Sequence, residues 1–343
     1  MFRGFLRRYG WRYIPGAVLL MLNSYLQTLM PIALGNAFDL LAEETVIRDA
    51  VLHQAAIILA LAGSAFAVRF GWRMLIMGNA RILEQVLREQ LYVKLQNMPL
   101  SWYHRQRTGD LMAYAVNDIN AVRMTFGPAF ALTLTGLSTV SFSLFSMGTR
   151  VDALLTVLCM IPIVFAMAAI VWIGSMIRER FRRVQEQFAA ISGRVNENIS
   201  GMRVLKAFVQ EAHHEKSFEA ESGKMRDFNM RLNLVSASLN PLIEFFFGIS
   251  FLVSVIRGGN LVLTGQMTVG SLVAFNAYLA MIMSPITSIG RIVNLIQRGV
   301  ASYQRLSDIL TAPEIPACEY ETGLPLKGNI RIRDLTFRYQ GTE

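Results

Sequence analysis

Long stretches without charged residues alternate with long charged stretches along this chain. Six stretches are free of charge or nearly so, at about residues 14–38, 51–72, 125–149, 153–177, 236–257 and 264–290. A helix needs roughly 20 apolar residues to cross a hydrocarbon core about 30 Å thick, so each stretch predicts one transmembrane helix. Because the number of spans is even, both ends of the chain are predicted to lie on the same side of the membrane.

The connections between the predicted spans are of two kinds. Three are short, and they include residues 150–152 and a glycine-rich turn at Gly258 and Gly259. The other two, 69–124 and 178–231, are long and nearly equal, and they carry apolar residues at helical spacing. If each is a helix going out and a helix coming back, it reaches roughly 35 to 40 Å from the membrane. The pattern predicts an all-α membrane protein with six transmembrane helices extended into two long helical arms.

The two ends of the chain differ from the spans. Residues 1–13 place arginines beside apolar residues at helical spacing, which predicts an elbow helix in the headgroup layer. Residues 311–328 are rich in proline and glycine and predict a linker. Residues 329–343 alternate apolar and polar residues, which predicts a first β-strand of an incomplete second domain, because a lone strand lacks a partner. The membrane domain is therefore predicted over 1–310.

Composition and charge support a membrane protein and its orientation. Hydrophobic residues make up 53% of the chain, charged residues 17%, and mean hydropathy is +0.39. The net charge of +9 comes from 33 Lys and Arg against 24 Asp and Glu. Only Arg48, Arg150 and Arg257 fall in the short connections, so the arms and both termini are predicted to be cytoplasmic. The basic excess thus indicates orientation in an inner or plasma membrane, and no nucleic-acid partner is expected.

Cysteine and histidine give little indication of further chemistry. Cys159 lies inside an apolar run and Cys318 in the proline-rich segment, which is too few cysteines for a disulfide framework. His53, His104 and the pair at 213–214 do not combine with cysteines or carboxylates at ligand spacing. No metal site is predicted.

Each arm has a tip with a distinctive sequence. The first tip consists of Arg107, Thr108, Gly109, Asp110, Leu111 and Met112, followed by an Asn-Asp pair at 117–118. Thr108 is expected to cap a short helix with Asp110 in its first turn. The second tip ends in Val209, Gln210, Glu211, Ala212, His213 and His214. Both tips are predicted to present a short helix to a partner, although an amphipathic hairpin that merely stabilises the bundle is the alternative.

Polar residues inside the predicted spans are candidates for a substrate path, since such residues are costly against lipid. Glu244 is the clearest, near the inner end of the fifth span. The others recur at helical spacing and are Asn23, Gln27, Asn276, Ser284, Thr287 and Asn294. The alternatives are a carboxylate at the membrane interface and hydrogen bonds between helices.

The ordered features resemble one known family over essentially the whole chain. They are six spans, two equal arms, RTGDLM with ND at the first tip, GMRVLKAF with QE at the second, and DLTFRY after the linker. Together they resemble the membrane half of an ATP-binding cassette (ABC) exporter of the bacterial multidrug or lipid type, with the type IV fold, truncated at the start of the nucleotide-binding domain. The resemblance implies that 107–112 and 209–214 are coupling helices that dock on nucleotide-binding domains, the second on the partner subunit's domain.

The resemblance also implies a function. Such exporters move amphipathic drugs or lipids out of the cytoplasm by alternating access, as homodimers or heterodimers of two half-transporters, and they use ATP and Mg²⁺. Tyr339 is similar to the aromatic residue that stacks on adenine in the family. No G-x-x-x-x-G-K-[ST] loop occurs, so the chain itself lacks the catalytic ATPase residues, and a translocase activity is expected only of the complete protein. A siderophore importer of the same fold and a six-span scaffold or receptor are the alternatives.

Overall fold

The computed structural model describes residues 2–42, 48–104, 106–313, 328 and 331–336, and the chain in these ranges is almost entirely helical. A short 3₁₀ turn, Gly10–Arg12, joins the first helix to the second. The helices are α1 (Phe2–Tyr9), α2 (Tyr13–Ala42), α3 (Arg48–Gln96), α4 (Leu100–Tyr103), α5 (Thr108–Arg150), α6 (Ala153–Ser200), α7 (Met202–Ala207), α8 (Glu211–Leu263) and α9 (Val269–Thr311).

Within the described ranges, six helices are long and apolar enough to cross a membrane, namely α2, α3, α5, α6, α8 and α9. This confirms the predicted all-α membrane architecture with six spans. Helices α3 and α6 contain 49 and 48 residues, far more than the roughly 20 that a bilayer requires. Each therefore continues beyond its apolar run into an arm. The first arm reverses direction through α4 and the second through α7.

The turn between the last two spans lies farther along the chain than predicted. Gly258 closes a π-helical segment inside α8, and Gly259 continues the helix. The turn follows at 264–268, where Gly265 adopts a φ of +72°, a conformation that glycine adopts without a steric penalty. Gly258 instead allows close packing, since a Cβ there would lie 2.5 Å from Leu272 Cδ1. The sixth span consequently begins at Val269 and not at residue 264.

Residues 331–336, the described part of the strand predicted over 329–343, do not form a β-strand. Residues 331–336 have an irregular conformation, and Asp334 has a φ of +53°. A strand needs a partner for its backbone hydrogen bonds, and the described part of the chain offers it none. The remainder of that segment, including Tyr339, and residues 314–327 of the predicted linker lie outside the described residues.

The chain divides into two compact units, each with its own apolar core. Unit 1 comprises Met1–Gln27, Ala60–Thr139 and Thr287–Glu343, and unit 2 comprises Thr28–Leu59 and Val140–Ile286. The core of unit 1 is formed by Phe5, Leu83, Leu87, Leu91, Ile119, Val122, Leu306 and Ile309. The core of unit 2 includes Met147, Leu155, Cys159, Ile163, Phe275, Tyr278, Leu279 and Ile282. The core of unit 1 joins residues of α1, α3, α5 and α9, and the core of unit 2 joins residues of α5, α6 and α9.

Within unit 2, Cys159 on α6 and Ser250 on α8 bond to each other reciprocally. The Cys159 Sγ donates to the Ser250 carbonyl oxygen at 3.4 Å, and the Ser250 Oγ donates to the Cys159 carbonyl oxygen at 2.9 Å. Both side chains are fully buried. Small polar side chains of this kind hold apolar helices together where the backbones approach closely.

Also in unit 2, α2 and the start of α9 come into backbone contact. A Cβ added to Gly270 would overlap the carbonyl oxygen of Gly35, and one added to Gly35 would overlap that of Gly270. One turn further along α2, the Asp39 Oδ1 accepts a hydrogen bond of 2.7 Å from the Gly270 backbone N–H. The carboxylate thus satisfies an otherwise unpaired amide at the positive end of α9.

Candidate functional site

The tip of the second arm exposes a run of large apolar side chains around α7. Val204, Phe208 and Val209 are 62%, 72% and 79% exposed. Ile199 and Met202, at the two sides of Gly201, are exposed as well. Contiguous apolar surface of this kind marks protein contact sites. The tip therefore has the chemistry of a docking surface.

The turn after α7 holds this apolar surface in a fixed conformation. Val209 has a φ of +52°, which is rare and strained for a β-branched residue. The Phe208 N–H donates to the Val204 carbonyl oxygen at 3.0 Å, and the Gln210 N–H donates to the Leu205 carbonyl oxygen at 3.1 Å. These bonds compensate for the strain and keep the side chain of Val209 exposed.

A cleft of about 270 Å³ lies beside α7. It is lined by Glu197, Asn198, Gly201, Val204, Leu205, Phe208, Gln210 and His214. Asn198 Oδ1 and His214 Nδ1 are buried and have no hydrogen-bond partner among the described residues. A buried polar atom without a partner costs free energy, so a docked protein segment that reaches these two atoms is favoured.

The second tip contains a separate short helix, α7. This helix ends at Ala207, just before residues 209–214, which are predicted to form the short helix. Val209 and Gln210 lie in the turn, and residues 211–214 open the long helix α8. Two features of the sequence mark α7: Gly201 before it and the apolar spacing of Val204 and Leu205 within it. The sequence prediction instead places the short helix on the polar residues that follow.

At the first tip, residues 107–112 form the start of a long helix. The N-cap of α5 is Arg107, which makes no side-chain cap bond, so the expected cap by Thr108 is wrong. The backbone amides of Asp110 and Leu111 donate to the Arg107 carbonyl oxygen at 3.0 and 3.3 Å. Asp110 lies in the first turn, as predicted. The separate short helix here is α4, which Pro99 precedes in an extended conformation.

A buried carboxylate joins the first arm to the last helix within unit 1. Asp118 on α5 is 5% exposed and accepts hydrogen bonds from Ser302 Oγ at 2.7 Å and Arg305 Nε at 3.0 Å on α9. Burial raises the pKa of Asp118, but the bonds from Arg305 and Ser302 outweigh it and leave the pKa below its ordinary value. Asp118 precedes the apolar run at 125–149, and its sequence context alone predicts no role for it.

Further contacts in unit 1 attach α9 to both limbs of the first arm. Thr125 Oγ1 on α5 donates to the Leu295 carbonyl oxygen at 3.0 Å. Lys94 Nζ, near the end of α3, donates to the Ala312 carbonyl oxygen. The limbs themselves are joined by an ion pair of 3.3 Å between Arg123 Nε and Glu84 Oε2. The end of α9 and the first arm thus form one packed body.

The candidate substrate-path residues fall into two groups. Asn23 is buried, and Gln27 and Asn276 are half-buried, with Asn276 Nδ2 donating to the Leu272 carbonyl oxygen at 3.1 Å. The exposed residues are Glu244, Ser284, Thr287 and Asn294. Exposed polar side chains in an apolar segment are costly against lipid, so we expect a water-filled cavity or a second polypeptide to cover them.

Comparison with known proteins identifies the family. The family model described as the ABC transporter transmembrane region matches residues 13–286. The chain is 33% identical over 342 residues to the probable multidrug resistance ABC transporter ATP-binding/permease protein YheI of Bacillus subtilis (strain 168), covering 98% of this chain and 57% of that protein. It is 27% identical over 339 residues to the multidrug resistance-like ATP-binding protein MdlA of Escherichia coli (strain K12), covering 99% and 58%.

A third relative carries a different name. The chain is 30% identical over 258 residues to the ATP-dependent lipid A-core flippase of Syntrophus aciditrophicus (strain SB), covering 75% of this chain and 43% of that protein. The matches therefore cover between 43% and 58% of the length of these curated relatives. The family match covers most of the chain and agrees with the six long apolar helices, and this chain belongs to the family of ABC transporter transmembrane regions, as the membrane half of an ABC exporter.

Proposed function

We propose that this chain forms the transmembrane part of an ATP-driven exporter that moves amphipathic drugs or lipids out of the cytoplasm. The carrying observation is the preorganised apolar tip around α7, because an arm can transmit force only if its end binds a partner. The names of the relatives, two for multidrug resistance and one for lipid A-core flipping, support this substrate class. They favour export over the alternative of siderophore import.

In the proposed mechanism the arms couple nucleotide-binding domains to the spans. The basic residues concentrated in the arms support a cytoplasmic location for the arms and both termini. The second tip, through α7 and residues 209–214, would dock on the nucleotide-binding domain of a second half-transporter. Residues 107–112 of the first tip would also dock on a nucleotide-binding domain. Coupling requires that the tips bind two nucleotide states of these domains with different affinity. Rigid arms then convert that difference into alternating access.

The complete protein would use ATP and Mg²⁺, and this chain would contribute Tyr339 as a stacking surface for adenine. The proposed substrate path uses Glu244 as a countercharge for cationic substrates. The polar residues Asn23, Gln27, Asn276, Ser284, Thr287 and Asn294 would line it. Glu244 on α8 is exposed and forms no ion pair in the described part of the chain. Both features support a role in binding a cationic substrate.

A charge placed on the second tip is expected to uncouple transport. In Phe208→Asp, a carboxylate replaces an exposed apolar anchor, so docking weakens while the helices that surround it keep their packing. Loss of one such anchor costs about 2 kcal/mol or more, or roughly 30-fold in affinity. The measurement is ATP-dependent efflux of a fluorescent amphipathic cation from cells that express the complete protein. Efflux at the parental rate in this variant would contradict the assignment of the tip.

Phe188→Asp is the matched control, since Phe188 is also exposed on the second arm but lies along the shaft of α6. It introduces the same charge and is expected to leave efflux unchanged. Equal loss in both variants would mean that any charge on the arm is harmful and that the tip has no special role.

The mass of the native polypeptide tests how ATP binding is supplied. A mass above 38.5 kDa by on the order of 200 to 250 residues is expected, which is the size of one further domain. A native mass of 38.5 kDa would require a separate ATPase subunit, and copurification of such a subunit would then be the supporting result.

A further inference from the structure

A cleft of about 420 Å³ lies between α6 and α8 where both helices leave their apolar runs. It is lined by Ser175, Met176, Glu179, Arg180 and Arg183 of α6 and by Phe228 and Arg231 of α8. The α6 residues recur at intervals of three and four, so they share one face of the helix. The cleft straddles the predicted membrane boundary, because the apolar run of α6 ends at 177 and that of α8 begins at about 236.

Positive charge in this cleft exceeds negative charge. Glu179 is the single carboxylate of the lining, and it already accepts bonds from Arg182 at 2.8 Å and Arg183 at 3.2 Å. Arg180 Nη1 donates to the Arg231 backbone carbonyl oxygen at 2.7 Å, which joins α6 to α8 without neutralising either guanidinium. Within the described ranges no carboxylate forms an ion pair with Arg180 or Arg231, so both remain available to an anion.

The surroundings of the cleft suit a ligand with an apolar part. Met176 and Phe228 contribute half-buried apolar surface to its wall. Trp172 on the membrane side and Phe181 on the arm side of α6 are both exposed. Exposed tryptophan near the end of a span is typical of the headgroup region of a bilayer. A free anion would leave these apolar side chains uncovered, whereas a lipid would cover them.

We propose that this cleft binds the phosphate of an anionic phospholipid headgroup. Guanidinium groups bind phosphate through paired hydrogen bonds, and basic pockets between helices on the cytoplasmic side bind anionic lipid headgroups. The glycerol and upper acyl carbons of the lipid contact Met176 and Phe228. The bound lipid joins α6 to α8 at the base of the second arm, which is a role separate from the transported substrate.

The test uses the complete protein, purified and reconstituted into nanodiscs of phosphatidylcholine with increasing phosphatidylglycerol. Lipid retained after detergent extraction is counted by native mass spectrometry, without ATP, so that failure of the proposed transport function does not affect the result. Arg231→Gln is expected to weaken phosphatidylglycerol retention about fivefold, and Arg180→Gln/Arg231→Gln about 25-fold, because each basic group near an anionic surface contributes about 1 kcal/mol.

Three controls make the result decisive. Arg231→Lys keeps the charge and is expected to keep most of the affinity. Arg194→Gln/Arg226→Gln removes two charges from the same arm outside the cleft and is expected to leave retention unchanged. Inorganic phosphate at the same concentration tests the other source of the anion and is expected not to displace the lipid.

Parental retention in Arg180→Gln/Arg231→Gln would overturn the proposal, as would equal loss in Arg194→Gln/Arg226→Gln, which would indicate nonspecific attraction to the arm. Displacement by inorganic phosphate would assign the cleft to a free anion. Unchanged lipid retention with an altered oligomeric state would assign it to a contact between copies of the chain.

Discussion

Replacing Gly270 with valine is expected to abolish accumulation of folded protein in the membrane. A Cβ at this position overlaps the Gly35 carbonyl oxygen and approaches the Asp39 carboxylate at 2.6 Å. The Gly35 atom belongs to backbone, which cannot rotate away, so α2 and α9 have to separate. Overpacking together with loss of the bond from Gly270 N–H to Asp39 costs on the order of 3–5 kcal/mol. That is a large part of the stability of a typical folded protein.

The measurement is the fraction of monodisperse protein after detergent extraction, together with its thermal unfolding midpoint. Gly290→Val is the matched control, since Gly290 lies on the same helix and a Cβ there meets nothing within 4 Å. We expect Gly290→Val to accumulate at the parental level. A Gly270→Val protein that extracts and melts like the parent would show that the two backbones are not in contact.

Arg305→Met is expected to destabilise the attachment of α9 to the first arm. Ser302 and Arg305 both donate hydrogen bonds to the buried Asp118 carboxylate, and the variant removes those from Arg305. Hydrogen bonds to charged groups are worth about 1.5–3 kcal/mol, and the lower end applies here because the Arg305 side chain is 52% exposed. A double-mutant cycle with Asp118→Asn, followed by thermal unfolding, measures this coupling directly.

The same pair predicts a dependence on pH. Because the pKa of folded Asp118 lies below its ordinary value, ionisation stabilises the folded state. This contribution is fully present above about pH 4, the ordinary pKa of aspartate, and is lost as the pH falls through the lowered pKa of the folded protein. Asp118→Asn should remove that part of the acid dependence and Arg305→Lys should retain most of it. An identical acid profile for Asp118→Asn and the parent would contradict the role of this carboxylate.

The sequence predicted the spans and arms well, because charge-free runs and loop lengths follow directly from the thickness of a bilayer. It misplaced the turn between the last two spans, because a glycine that packs inside a helix cannot be told from a glycine that makes a turn by residue type alone. Gly258 packs against Leu272, and Gly265 makes the turn. Nothing in the local sequence distinguishes these two uses of glycine.

The candidate site was predicted less completely. The positive φ of Val209 has no sequence signature, because valine rarely adopts it, and the short helix was therefore assigned too late in the chain. In the sequence, Asp118 stands out only as part of an Asn-Asp pair. Its partners Ser302 and Arg305 are far away in sequence, and no periodic pattern connects them. Such contacts come from tertiary packing and require the structure.

The reciprocal bonds between Cys159 and Ser250 have a practical consequence for spectroscopy. A thiol with no solvent exposure reacts poorly with maleimides and spin labels, so Cys159 can stay in place during labelling. With Cys318→Ser, a single cysteine introduced at Arg203, an exposed residue of α7 outside its apolar surface, would carry the one reactive probe within these 343 residues. The motion of the second tip during nucleotide turnover could then be followed without altering the packing of α6 against α8.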